Sequence, residues 1–198
     1  GYTQSIILTN SLKSAILPWA AGIKKRTSYL GETRYGLIND IRQLDKAKLK
    51  KTVDRFVNLG LEHNQQLPTP IPNPVLLANR ENAINALKNL GLNLPTTKIL
   101  GLCPGAGYGE AKRWPAAYYA EVANDAIDKG WAVWLFGSDK DISVTSSINQ
   151  LTNNRSTDFG GKTKLAEAID LMSLCNTIIS NDSGLMHVAA ALDKKLIS

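Results

Sequence analysis

The spacing of apolar positions changes partway along the chain. From residue 98 onward, short continuous apolar runs alternate with stretches in which apolar residues recur every three to four positions. Residues 98–103, 131–136 and 176–180 read as buried strands, and a further strand begins at residue 195. Helices are predicted between them: 115–129, opened by Pro115 and stopped by Gly130; 140–151; 163–174, with Thr163 available as a cap; and 183–192. Right-handed βαβ crossovers then give a parallel, doubly wound sheet. Such sheets bind ligands beyond the carboxyl ends of their strands, so the informative loops are those after Cys103, Phe136 and Ser180.

The first half is less regular. Residues 5–8 read as a strand. A helix over 12–19 follows, with N-cap oxygens offered by Thr9, Asn10 and Ser11 and an end at Gly22. A long helix is predicted over 44–60, because Leu49, Val53, Phe56, Val57 and Leu61 share one face. Residues 67–74 carry four of the eight prolines and form a stiff connector. A short helix over 81–90 closes at Gly91. After Gly91 the pattern becomes regular. The chain's first strand has no preceding unit and its last stops in mid-strand, so a fragment of a longer protein is expected.

Composition narrows the class. With 43% hydrophobic and 20% charged residues, the 198-residue chain is globular in character. It contains no apolar run of about 18 residues, and Gly1-Tyr2-Thr3-Gln4 opens no signal-peptide pattern. Cys103 and Cys175 lack metal-ligand spacing and read as reduced core residues of a cytoplasmic protein. The net charge of +6 permits nucleic acid, an anionic membrane surface or an anionic substrate, and does not choose among them. A nucleic-acid binder interleaves aromatics with Lys and Arg on one face. Trp131 and Trp134 read as strand core instead, so no nucleic-acid partner is expected.

Four segments carry candidate chemistry. In residues 104–115, Gly105, Gly107 and Gly109 allow close backbone approach, while Lys112 and Arg113 place positive charge before a helix start. This spacing is neither a P-loop nor G-x-G-x-x-G; a phosphate site and a plain strand-to-helix turn both fit it. In residues 181–187, Asp182, Ser183, Gly184 and His187 converge at a helix N-terminus that favours anions, although Asp182 as a mere cap and His187 as mere packing also fit. In residues 136–141, Ser138 or Asp139 is placed to meet a ribose or adenine edge, and N-capping by Asp139 is the alternative. Lys13, Lys24, Lys25, Arg26 and Arg34 form a basic segment, either an anionic-acceptor grip or a solvated surface.

Several strings taken together are specific. They are Cys103-Pro104-Gly105-Ala106, Ala111-Lys112-Arg113-Trp114-Pro115, Leu135-Phe136-Gly137-Ser138 with Lys140-Asp141, and the run from Asn181 to Leu192. With Asn10-Ser11-Leu12-Lys13-Ser14-Ala15, Ala21-Gly22-Ile23, Arg26-Thr27 and the run from Gly31 to Leu37, they resemble the ADP-heptose:lipopolysaccharide heptosyltransferases of glycosyltransferase family 9 over nearly the whole chain. Asn181-Asp182-Ser183-Gly184-Leu185-Met186-His187 is most similar to the type II members; type I and other inner-core heptosyltransferases are the neighbouring alternatives, and a non-catalytic nucleotide-binding module is the alternative from another class.

That resemblance implies a GT-B α/β fold, with two Rossmann-like domains built on parallel sheets. Residues 1–94 would be the later part of the acceptor-binding domain plus linker, and residues 95–198 the nucleotide-sugar domain, truncated at its end. It implies inverting, metal-independent transfer of a heptose from ADP-heptose to an anionic lipid A-core acceptor. No cofactor would be involved, and the enzyme would work in the cytoplasm, at the cytoplasmic face of the inner membrane. Lys112 would stabilise the leaving group. Gly105, Ala106, Asp139, Thr163, Asp182, Ser183, Gly184 and His187 would hold the donor, and Lys13, Lys25, Arg26 and Arg34 the acceptor. The family's catalytic aspartate would precede Gly1. Family members often carry Glu at the position of Gly107 and Pro at that of Glu110.

Overall fold

The computed structural model describes residues 1–63, 65–107 and 112–198. Two compact units divide at Pro72 and Asn73 rather than near Leu94. The difference arises because the helix over Arg80–Asn89 buries Ala83, Ala86 and Leu87 in the core of the second unit.

The first unit contains β1 (Gln4–Ile6), α1 (Leu12–Ala20), β2 (Lys25–Tyr29), β3 (Asp40–Arg42) and α2 (Thr52–Gly60). Its strands form a parallel sheet in the order β1-β2-β3. The hydrophobic pattern does not predict β2 and β3, because their sequences are polar. Thr27 and Ser28 are nevertheless fully buried. The Thr27 hydroxyl donates to Asp40 Oδ2 at 2.8 Å and the Ser28 hydroxyl to the Ile7 carbonyl at 2.7 Å, which removes the penalty of burying them.

The expected helix over 44–60 begins only at Thr52. Upstream, the Asp45 carboxylate accepts from the N–H groups of Ala47 and Lys48 and closes a separate turn. Asp54 then accepts from the Lys51 N–H at 2.9 Å, which fixes the true helix start.

The second unit contains α3 (Arg80–Asn89), β4 (Ile99–Cys103), α4 (Ala116–Asp128), β5 (Ala132–Leu135), α5 (Ile142–Leu151), β6 (Thr157–Asp158), α6 (Leu165–Met172), β7 (Thr177–Ser180), α7 (Gly184–Ala191) and β8 (Lys195–Ile197). All five strands are parallel, in the order β6-β5-β4-β7-β8. Both faces of the sheet are covered, which is why the strands read as continuous apolar runs. Leu100, Leu102, Val133 and Leu135 pack with Tyr119, Ala123 and Ile148 on one face. Ile99, Cys103, Trp134 and Phe136 pack with Leu87, Leu171 and Met172 on the other. The two-residue period of a strand thus feeds two cores at once.

Among the described residues, no helix is long and apolar enough to cross a membrane.

Candidate functional site

Chain order reverses around β4. The chain runs outward through β5 and β6 on one side and through β7 and β8 on the other. Loops leaving the carboxyl ends of β4, β5 and β7 therefore diverge around a crevice, as expected at a switch point. A cavity of about 460 Å³ opens there. Its wall combines Gly105, Ala106 and Gly107 after β4, Gly137, Ser138 and Asp141 after β5, Thr163 before α6, and Ser183 and Gly184 at the start of α7.

Two of these glycines, Gly105 and Gly137, are crowded by Asp141. A Cβ added to Gly105 would lie 2.7 Å from the Asp141 carboxylate carbon, and one added to Gly137 would lie 2.7 Å from Asp141 Cβ. Asp141 stands between the two loops. Its carboxylate accepts from the Ser138 N–H at 2.9 Å and from the Ser138 hydroxyl at 2.7 Å. This is the cap that the sequence offered to Asp139. The third residue of the single 3-10 turn over Asp139–Asp141 faces back toward Ser138, while Asp139 is exposed and directs Oδ1 toward Gly161. Asp139 is not part of the cavity wall.

Beside the cavity, Lys112 Nζ donates to Asp182 Oδ2 at 2.5 Å. The Lys112 hydrogen bond and charge, with a smaller effect from His187, hold the Asp182 carboxyl below the usual carboxylate range. Both side chains are half-exposed or more, so the pair is open to a ligand. Arg113 lines the cavity on the same side and donates from Nη2 to the Ala106 carbonyl at 3.3 Å. Ser183 is the N-cap residue of α7 without a side-chain cap bond. The first N–H groups of a helix have no intrahelical acceptor, so this end attracts an anion.

Expected site residues thus separate into groups. Gly105, Ala106, Thr163, Ser183 and Gly184 line one cavity, with Lys112 and Asp182 paired beside it. Thr163 precedes the N-cap residue Lys164 and does not cap α6, since Glu167 takes the Lys164 N–H. His187 is exposed one turn into α7 and does not line the cavity. Tyr108, Gly109, Glu110 and Ala111, part of the same glycine-rich loop in the sequence, lie outside the described residues.

The basic segment of the first unit does not act as one patch. Arg34 is fully buried and donates to the carbonyls of Leu30, Thr9, Ser11 and Tyr29 and to the hydroxyls of Ser14 and Ser28. It holds the fold and has no free donor for an acceptor substrate, which corrects its expected role. Arg26 is half-buried on the carbonyls of Leu37 and Ile23. Lys25 lies 3.8 Å from both Asp40 and Glu62, and Lys13 is exposed.

Sequence reasoning missed Asn181. Its amide is buried at the root of the β7–α7 loop, where Oδ1 accepts from the Trp114 N–H and the Tyr119 hydroxyl and Nδ2 donates to the Pro104 carbonyl. In the sequence Asn181 opens the string shared with the family, directly before Asp182, but nothing local shows the partners of its amide. Cys103 and Cys175 are buried, and burial raises both thiols, Cys175 to about 12, so neither is a nucleophile.

A doubly wound parallel sheet with a glycine-lined crevice, a lysine–aspartate pair and a bare helix start defines a nucleotide-type ligand-binding α/β unit. The sequence profile of glycosyltransferase family 9 (heptosyltransferase) matches residues 1–198, and the chain belongs to that family. It is 40% identical to lipopolysaccharide heptosyltransferase 2 of Escherichia coli K12 over all of this chain and 59% of that protein. It is also 40% identical to lipooligosaccharide heptosyltransferase 2 of Haemophilus influenzae Rd, over all of this chain and 60% of that protein. The solved structure of E. coli ADP-heptose lps heptosyltransferase II superposes with a TM-score of 0.86 at 40% identity, covering 98% of this chain and 61% of that one. The chain therefore has the GT-B heptosyltransferase architecture and spans about three-fifths of the length of these relatives.

Proposed function

We propose that this chain is part of a heptosyltransferase that moves a heptose from ADP-heptose onto an already heptosylated lipopolysaccharide inner core. Residues 73–198 would bind the nucleotide sugar. The observation that carries this reading is the placement of the Lys112–Asp182 pair and the α7 N-terminus beside a glycine-lined cavity. The names of relatives 40% identical to the chain supply the substrate class.

Breaking a glycosyl bond to a nucleoside diphosphate develops negative charge on the leaving diphosphate. The Lys112 ammonium and the first N–H groups of α7 face that charge without a metal, and their effect grows toward the transition state. Thr163 and the Ser138 turn would face the nucleoside, and His187 and Asp182 the sugar side. Lys13 and Lys24 are the exposed cations of the basic segment named above, open to an anionic acceptor. Asp40 does not serve as the base for the acceptor hydroxyl. Burial raises its carboxyl, but bonds from Arg42, Thr27 and His63 outweigh that and hold it at about 2. An anionic lipid acceptor would bring the protein to the cytoplasmic face of a membrane.

Calorimetric titration of ADP and ADP-heptose into this chain tests the donor assignment. Saturable binding that weakens in Lys112→Ala supports it, and no binding by the folded chain removes it. Acceptors bearing no heptose or one heptose, offered to the complete enzyme, separate type I from type II activity.

A further inference from the structure

The loops bearing Lys112 and Asp182 come from two different strand ends and share one buried connection. Asn181 immediately precedes Asp182, Trp114 lies two residues after Lys112, and Pro104 immediately precedes Gly105. The Asn181 side chain joins all three places. Oδ1 accepts from the Trp114 N–H at 3.2 Å and the Tyr119 hydroxyl at 3.1 Å, and Nδ2 donates to the Pro104 carbonyl at 2.7 Å. Its backbone N–H adds a bond to the Cys103 carbonyl at 3.3 Å. A carboxamide supplies an acceptor and a donor from one short planar group. A carboxylate in its place would set an oxygen against the Pro104 carbonyl, and an aliphatic residue would take this partner from the Pro104 carbonyl and the Trp114 N–H and leave the Tyr119 hydroxyl with the Cys103 carbonyl at 3.4 Å.

We infer that Asn181 is a positioning residue: its amide sets the register between the Lys112 loop and the Asp182 loop, and so the placement of their ion pair against a bound diphosphate. The diphosphate part rests on the function proposed above; the loop-register part does not. Tyr119 assists from beneath. Burial raises its phenol far above the usual value and keeps it a neutral donor to Asn181. Asn181 itself touches no substrate in this scheme. It acts through Lys112 and Asp182.

Three measurements on this chain test the inference, each made on the parent, Asn181→Ala and Tyr119→Phe. They are thermal melting, the affinity for ADP by calorimetry, and the titration of the Asp182 carboxyl by carbon-detected NMR. The expected result is ADP binding weakened about tenfold in folded Asn181→Ala, less in Tyr119→Phe, with Asp182 titrating closer to an ordinary aspartate in both. A purely structural role would lower the melting temperature yet leave ADP affinity and the Asp182 titration as in the parent, and that result overturns the inference. If Asn181→Ala does not fold, Tyr119→Phe decides by the same two readouts, and no change in either overturns the inference. If the parent binds no ADP, the donor reading falls, while the Asp182 titration still shows whether Asn181 sets the pair.

Discussion

Lys112 and Asp182, 70 residues apart in sequence, meet at 2.5 Å between the loops that follow two neighbouring strands. Their backbones are brought together by the pairing of β4 with β7, in which Cys103 lies opposite Ser180. The contact is exposed, so it adds little to stability.

Replacing Lys112 by alanine in the complete enzyme should lower turnover about a hundredfold, or about 3 kcal/mol, because a charge facing the developing diphosphate is lost. Steady-state assay with ADP-heptose checks this. Unchanged turnover would take Lys112 out of the mechanism.

Gly105→Ala should weaken ADP binding about tenfold. The new methyl group meets the Asp141 carboxylate at 2.7 Å and displaces it from Ser138, which distorts two walls of the cavity together. Calorimetry on the folded variant is the readout, and parent-like affinity would show that the loops absorb the change.

Arg34→Lys should destabilise the first unit by about 3 kcal/mol. An ammonium has three donors, and the guanidinium of Arg34 reaches six acceptors around Ser14, Ser28 and Tyr29. Urea unfolding followed by fluorescence measures the loss. A variant as stable as the parent would mean that water replaces the missing bonds.

Asp40 gives a pH dependence whose sign can be worked out. Its carboxyl is lowered in the folded state to about 2, because the bonds from Arg42, Thr27 and His63 outweigh the cost of burial. The group therefore stabilises the fold at pH values above its ordinary value of 3.8, and that contribution is lost as pH falls from there toward about 2. Asp40→Asn should flatten this part of the acid-unfolding curve and reduce stability at neutral pH by about 2 kcal/mol. An unaltered curve would assign the acid sensitivity to other carboxylates.

What the sequence reveals follows from where each residue finds its partners. The strands β4, β5 and β7 are buried on both faces and stand out as apolar runs. The β2 strand is polar, and its burial depends on Asp40 and on the Ile7 carbonyl, which no local pattern shows. Likewise, glycines and a helix start mark the candidate site. Asn181 carries no such mark, since the partners of its amide lie 62 to 77 residues away. Two carboxylates, Asp139 and Asp141, competed for one cap, and the direction of a single 3-10 turn decided between them.

The crossover that puts β7 beside β4 also dictates the order in which the site comes into being. A nascent chain that has made β4, α4 and β5 already holds Gly105 and Lys112, yet it has neither Asp182 nor the start of α7. Closing that long segment comes late, because its loop entropy must be overcome before the contacts form. A ligand that needs both loops would find no complete site on that shorter chain. If the crevice binds a nucleotide as proposed, that binding would protect the finished unit by mass action without guiding its folding.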